Sequence, residues 1–324
     1  MPRKNEFHPV HGSLKIKKQI DIRSAKNMKT INVGQVSKWA GAATLGLLLL
    51  AASAEAASKK VLVVTTTTGF RHSSIATAER IIAQLGTESG AFSVDYARVD
   101  PNAPEFKGSD GKTDNGKVNE AIKKVLAEKM SPEALKGYDA VIFANTTGDL
   151  PLPDRDGFIA WVKSGKGFVG MHAAGDTFHG YRPYLDMLGA EFKTHGAQVK
   201  VDAINQDKDC PICKSLPGTW AVFDEIYQFW SPADGDNARG HKIFERATVH
   251  GLLTLDKHPN NGTPGDYPVS WCKEFGQGRV FYTSFGHRED VWDPAWKDRR
   301  NSPEIAKAYQ QFILDGIKWV IRAD

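Results

Sequence analysis

The run Lys60-Val-Leu-Val-Val-Thr-Thr66 is almost continuously apolar and β-branched, and it ends at Gly69. A strand with no polar face must be covered on both sides, which points to the interior of a parallel sheet. A helical pattern follows it from Ser73 or Ser74, with Ile75, Ala78, Ile81, Ile82 and Leu85 on one face. The alternation then repeats. A strand over 92–99 leads through a polar, Gly/Pro-rich loop over 100–116 into helical sequence over 118–126. Strands over 138–145 and 167–172 flank a helix over 154–164. Strands alternating with helices predict βαβ units around a mostly parallel sheet, an α/β fold with ligands at the carboxyl ends of the strands. Further strands are expected over 198–203, 220–227, 248–255, 269–274 and 279–284, and a closing helix over 303–321.

Ahead of this pattern lies a different kind of segment. The apolar stretch Trp39–Ala52 has 14 residues, whereas a stable span needs roughly 20. Lys29 and Lys38 precede it, and Ala54-Glu55-Ala56 is a small-x-small cleavage site. Residues 1–56 therefore read as a signal peptide, with Met28 the expected start and the residues before it an extension. The mature domain would be 57–324, periplasmic or secreted, with no membrane span. The leader carries 9 of the 42 Lys and Arg and 3 of the 38 Asp and Glu, which leaves 33 basic and 35 acidic residues in the mature chain. A net charge of about −2 gives no nucleic-acid footprint. The remaining 268 residues suffice for one large domain.

The candidate chemistry sits at the predicted strand ends. His72 lies in Gly69-Phe-Arg-His-Ser-Ser on a strand-to-helix turn, where a helix N-terminus favours a neutral imidazole. The equally weighted alternative makes Ser73 a plain helix cap and His72 a surface residue. Gly170-Met-His172-Ala-Ala-Gly175 resembles a nucleophile elbow with histidine at its apex. Imidazole there serves as base or ligand rather than as an acyl-transfer nucleophile. His195, Asp224-Glu225 with Tyr227, and His287 complete the candidates. Neutral imidazoles with a carboxylate suit a divalent ion such as zinc, and equally suit metal-free proton transfer. His172, His195 and His287 are the candidate metal ligands, and His172, Glu225 and His72 the candidate catalytic set. Arg71, Asp176, Tyr227 and Trp292 are candidate substrate contacts. In an oxidising compartment Cys210-Pro-Ile-Cys213 reads as a local disulfide, ahead of redox chemistry or metal binding, and Cys272 as a core thiol.

Six segments together resemble the ThuA-like, trehalose-utilisation family: 66–75, 167–176, 192–195, 224–227, 268–271 and 278–287. The resemblance runs from about Lys60 to Val320. It implies a flavodoxin-like, class I glutamine amidotransferase-like three-layer sandwich, with His172 where an amidotransferase places its cysteine. Amidotransferase activity is thus not implied. The family's link to sugar catabolism implies a sugar or glycoside ligand, a 3-keto-glycoside made by a partner sugar dehydrogenase. The segment 207–213 departs from the family pattern. The resulting expectation is an exported enzyme doing lyase- or hydrolase-type proton transfer on an oxidised glycoside. The alternative is a non-catalytic exported carbohydrate-binding protein.

Overall fold

Val61 and Val63 point to one face of the first strand, and Leu62 and Val64 to the other, all fully buried. This alternation places one apolar cluster on each side of a single large sheet. The computed structural model describes residues 58–323, so the expected signal peptide, its cleavage site and the start at Met28 lie outside the described residues.

In chain order the elements are β1 (Lys59–Val64), α1 (Ile75–Ser89), β2 (Phe92–Ala97), α2 (Asn115–Lys129), α3 (Pro132–Leu135) and β3 (Ala140–Ala144). Then come α4 (Arg155–Lys163), β4 (Gly167–Met171), α5 (Arg182–Leu188), β5 (Phe192–His195), β6 (Val199–Asn205) and β7 (Thr219–Asp224). β8 (Tyr227–Phe229), β9 (His250–Lys257), β10 (Pro264–Phe275), β11 (Gly278–Thr283), α6 (Glu289–Trp292) and α7 (Pro303–Ile321) complete the chain. Nine strands form one sheet in the order β2-β1-β3-β4-β11-β10-β9-β6-β7, and β5 pairs with β8 separately.

The expectation of a mostly parallel sheet holds for five strands. β2, β1, β3, β4 and β11 are parallel neighbours. From β11 onward every pairing is antiparallel. The change has a local cause: only Gly276 and Gln277 separate β10 from β11, with Gly276 at φ 64°. So short a connection can join antiparallel strands only.

Burial explains the helices. α1 buries Ile75, Ala78, Ile81, Ile82 and Leu85 and stops at Gly90, whose left-handed conformation (φ 66°) terminates it. Asp114 and Asp154 cap α2 and α4 by accepting from the amides of Lys117 and Gly157. The alternative that made Ser73 a plain helix cap and His72 a surface residue does not hold: His72 is buried, and Ser74 occupies the cap position. Its hydroxyl makes no cap bond and instead donates to the Gly286 carbonyl at 3.0 Å. This bond joins the β1–α1 turn to the loop after β11. Among the described residues no helix is long and apolar enough to cross a membrane.

Candidate active site at the strand ends

Three parallel strands, β1, β4 and β11, end beside one another or nearly so, and each delivers a histidine. His72 follows β1, His172 follows β4 and His287 follows β11. Glu225 lies between β7 and β8. One ligand atom from each of His72, His172, Glu225 and His287 falls within 4.8 Å of the others. The rings of His72 and His172 are 4.9 Å apart between centroids, and each lies 5.2 Å from that of His287.

His172 occupies the apex of the sharp turn after β4 at φ 45°. A non-glycine residue held there costs on the order of 1–3 kcal/mol, so the surroundings must fix it. They do so through close packing and two hydrogen bonds. A side chain at Gly170 would press on Leu188, Tyr282 and Ala174. The Tyr282 hydroxyl donates to the His172 carbonyl at 2.7 Å. The His172 Nδ1 lies 2.7 Å from the Ser284 carbonyl, an acceptor, so Nδ1 carries the proton. Nε2 is left with its lone pair, 3.3 Å from His287 Nδ1 and 3.6 Å from Glu225 Oε1. The Tyr227 ring packs 4.3 Å from the His172 ring.

His72 is buried, and its Nδ1 has no hydrogen-bond partner. Burial and the neighbouring His172 and His287 lower its pKa to about 3, so the ring is neutral at ordinary pH. Glu225 behaves oppositely. Burial alone would raise its pKa, but the facing His172 and His287 imidazoles outweigh this and hold the carboxyl well below its usual range. His287 pays for burial with a downward push, yet the Glu225 hydrogen bond and charge leave its pKa raised. A buried carboxylate thus faces three imidazole rings.

Behind these groups lies a supporting layer. Asp224 is fully buried and accepts from the Gly286 amide at 2.7 Å and the Arg288 amide at 3.2 Å, which fixes the loop bearing His287. Burial raises its pKa. Asn145, at the end of β3 with φ 58°, donates to Ser74 Oγ and to the Gly286 carbonyl. Asn145 escaped sequence reasoning, although a polar residue ending an apolar strand was a usable signal.

The structure redistributes several expected roles. His195, expected as a metal ligand together with His172 and His287, stands outside the tight group of four. Its Nδ1 contacts the other Glu225 oxygen at 3.0 Å and the Gly196 carbonyl at 3.0 Å. Both partners are acceptors, so Nδ1 carries the proton and Nε2 keeps its lone pair in an exposed ring. Trp292, expected to touch substrate, is fully buried; its indole N–H donates to Gly286, making it part of the wall beneath the site. Arg71 and His72 both border a cavity of about 900 Å³ that also reaches Arg98, Asp100 and Phe106. That cavity meets the histidine–glutamate group only at His72. Asp176 bonds His179, which also reaches Glu191, and Glu191 in turn accepts from His241. This relay was not anticipated, although Asp176 and His179 are three residues apart. The expected Cys210–Cys213 disulfide is absent: both are free thiols, because the tight 210–213 turn aims Cys213 at the Leu252 carbonyl and Cys210 at Cys272.

Comparison with known proteins agrees with this architecture. A ThuA-like protein from Parabacteroides merdae superposes with a TM-score of 0.56 at 18% identity, covering 82% of this chain and 90% of that one. A ThuA-like protein from Bacteroides uniformis gives 0.53 at 18% identity, covering 81% and 91%. At such identity the likeness shows the fold alone. No curated protein gives a significant match. The family model described as ThuA, trehalose utilisation, matches residues 60–320, nearly all of the described chain. The chain therefore belongs to the ThuA family.

Proposed function

We propose that this protein is an exported, sugar-processing lyase with a flavodoxin-like scaffold, and that it acts on a 3-keto-glycoside at a metal centre held by His72, His172, His287 and Glu225. The observation carrying the proposal is the convergence of those four side chains within 4.8 Å. Their chemistry fits a divalent ion such as zinc: three imidazoles and an ionised carboxylate, with His72 Nδ1 buried and without a partner. When bound, such an ion polarises a carbonyl oxygen as a Lewis acid.

The chain's own residues supply the rest. His195 carries its proton on Nδ1 and is exposed, so Nε2 is free to accept a proton from the carbon next to the ketone. The electron pair left behind forms a carbon–carbon double bond as the bond to the glycosidic oxygen breaks; the departing oxygen takes a proton from water, and the hydroxide so formed takes the proton from His195, restoring the base. A positioned base of this kind contributes about 10²–10⁴ in rate. Phe70 is the exposed large apolar side chain among the described residues, with its ring 4.8 Å from that of His72. It offers a face on which a sugar ring can stack, the role sequence reasoning gave to Trp292. The family's trehalose-utilisation description supports a sugar ligand.

Turnover of 3-keto-glycosides by the wild type, by His172→Ala and by His195→Ala tests the reading. Expected are loss of activity in the first variant and a kcat reduced about 10²–10⁴-fold in the second. Full turnover in His172→Ala overturns the proposal. Thermal stabilisation of the wild type by a plain glycoside, without turnover of any keto-sugar, favours a carbohydrate-binding protein instead.

A further inference from the structure

A second group of ligating side chains lies on the antiparallel part of the sheet and shares no residue with the histidine–glutamate group. One ligand atom each from Asp207, Cys210 and His250 lies within 4.8 Å of the other two. His250 opens β9 and is the cross-strand partner of Cys272 on β10, so the two side chains share a face of the sheet. The loop after β6 lays Cys210 over that face, with its thiol against that of Cys272.

We propose that Asp207, Cys210, His250 and Cys272 hold a divalent ion of borderline softness, zinc in the first place, which staples this loop to β9 and β10. One sulfur, one imidazole and one carboxylate already converge, and the second thiol stands beside them; sulfur and nitrogen donors of this kind select zinc over magnesium or calcium.

The loop is built to present these atoms. Asp207 Oδ1 accepts from the amides of Asp209 and Cys210 at 3.0 and 3.1 Å, which leaves Oδ2 aimed at His250 Nε2, 3.0 Å away. The Cys213 amide donates to the Cys210 carbonyl at 2.9 Å, closing the Cys-Pro-Ile-Cys turn. Asn205 ties the loop down by donating to the carbonyls of Cys213 and Leu216 at 3.1 and 3.4 Å. Cys213 takes no part, since its thiol donates to the Leu252 carbonyl at 3.8 Å.

Cobalt(II) provides the test, because a thiolate bound to it gives a charge-transfer band in the near ultraviolet. The histidine–glutamate group contains no sulfur, so the band reports this site alone, whatever becomes of the proposed catalytic centre. Reduced, chelator-treated full-length protein is titrated with cobalt(II). The band should appear in the wild type and in Cys213→Ser and vanish in Cys210→Ser. In His250→Ala or Cys272→Ser it should persist with affinity at least about tenfold weaker. Cys213→Ser also controls for misfolding caused by loss of a buried thiol. Absence of the band from the reduced wild type overturns the proposal, and so does an undiminished band in Cys210→Ser. A Cys210–Cys272 disulfide that survives in metal-loaded protein overturns it as well.

Discussion

The histidine–glutamate group and the cysteine–histidine group use overlapping donor chemistry but differ in how the fold positions it. The first sits where β1, β4 and β11 end, and its members are buried or nearly so. One of them, His172, is held at positive φ. The second rests on a loop and on antiparallel strands, and its His250 side chain is half exposed. Pre-organised, buried polar groups in a strained turn suit chemistry, because strain persists where function needs a side chain aimed inward. A loop clipped to a sheet suits stabilisation, since a metal bound only by the folded state adds its binding energy to folding. Under the two proposals, turnover belongs to the first cluster and stability to the second.

The largest separation should come from His172→Ala. It should abolish keto-glycoside turnover while leaving the cobalt–thiolate band intact; joint loss of both would show a folding defect and break the comparison. Cys210→Ser should do the reverse, removing the band and leaving turnover within about twofold of wild type, because its cluster shares no residue with the proposed catalytic centre. Asp224→Asn comes next. Its carboxylate positions the Gly286 and Arg288 amides rather than touching substrate. Metal affinity at the histidine–glutamate group should fall about 10–100-fold, read by competition with a chelator. Cobalt binding at Cys210 should not change. Equal weakening of both sites would mean that Asp224 acts on the whole fold.

How the two regions arise also explains what the sequence could reveal. Strands such as β1, β3 and β4 were legible because burial on both faces demands unbroken apolar runs, and Asn145 and His172 mark where those runs stop. Which histidines meet was not legible. The choice between His72 and His195 depends on the separate β5–β8 pairing, where strands of four and three residues place His195 opposite Tyr227 and behind Glu225. Strands so short leave almost no periodic signal. The cysteines were misread for a related reason. Local spacing suggested a Cys210–Cys213 bond, whereas Cys272, 62 residues after Cys210, is brought to it by β9–β10 pairing.

The smallest expected effect concerns the relay beside the site. Hydrogen bonding to Asp176 raises the His179 pKa against the opposing push of burial, with Glu191 adding to the rise. The folded state therefore binds this proton more tightly than the unfolded chain. The stabilisation is complete below the unfolded value of about 6.5 and is lost as pH rises through the higher folded value. The thermal midpoint of the wild type should exceed that of His179→Ala most in acid, and the gap should narrow above neutrality. A gap that widens with pH would contradict that sign.

The central claim is that four converging side chains hold an ion on which sugar chemistry depends. Its most direct test is turnover of a 3-keto-glycoside by Cys210→Ser protein, which lacks the second site, before chelation, after it, and after return of a divalent ion. The account predicts loss of activity on chelation and recovery when the ion returns. Undiminished turnover in the metal-stripped protein would contradict it.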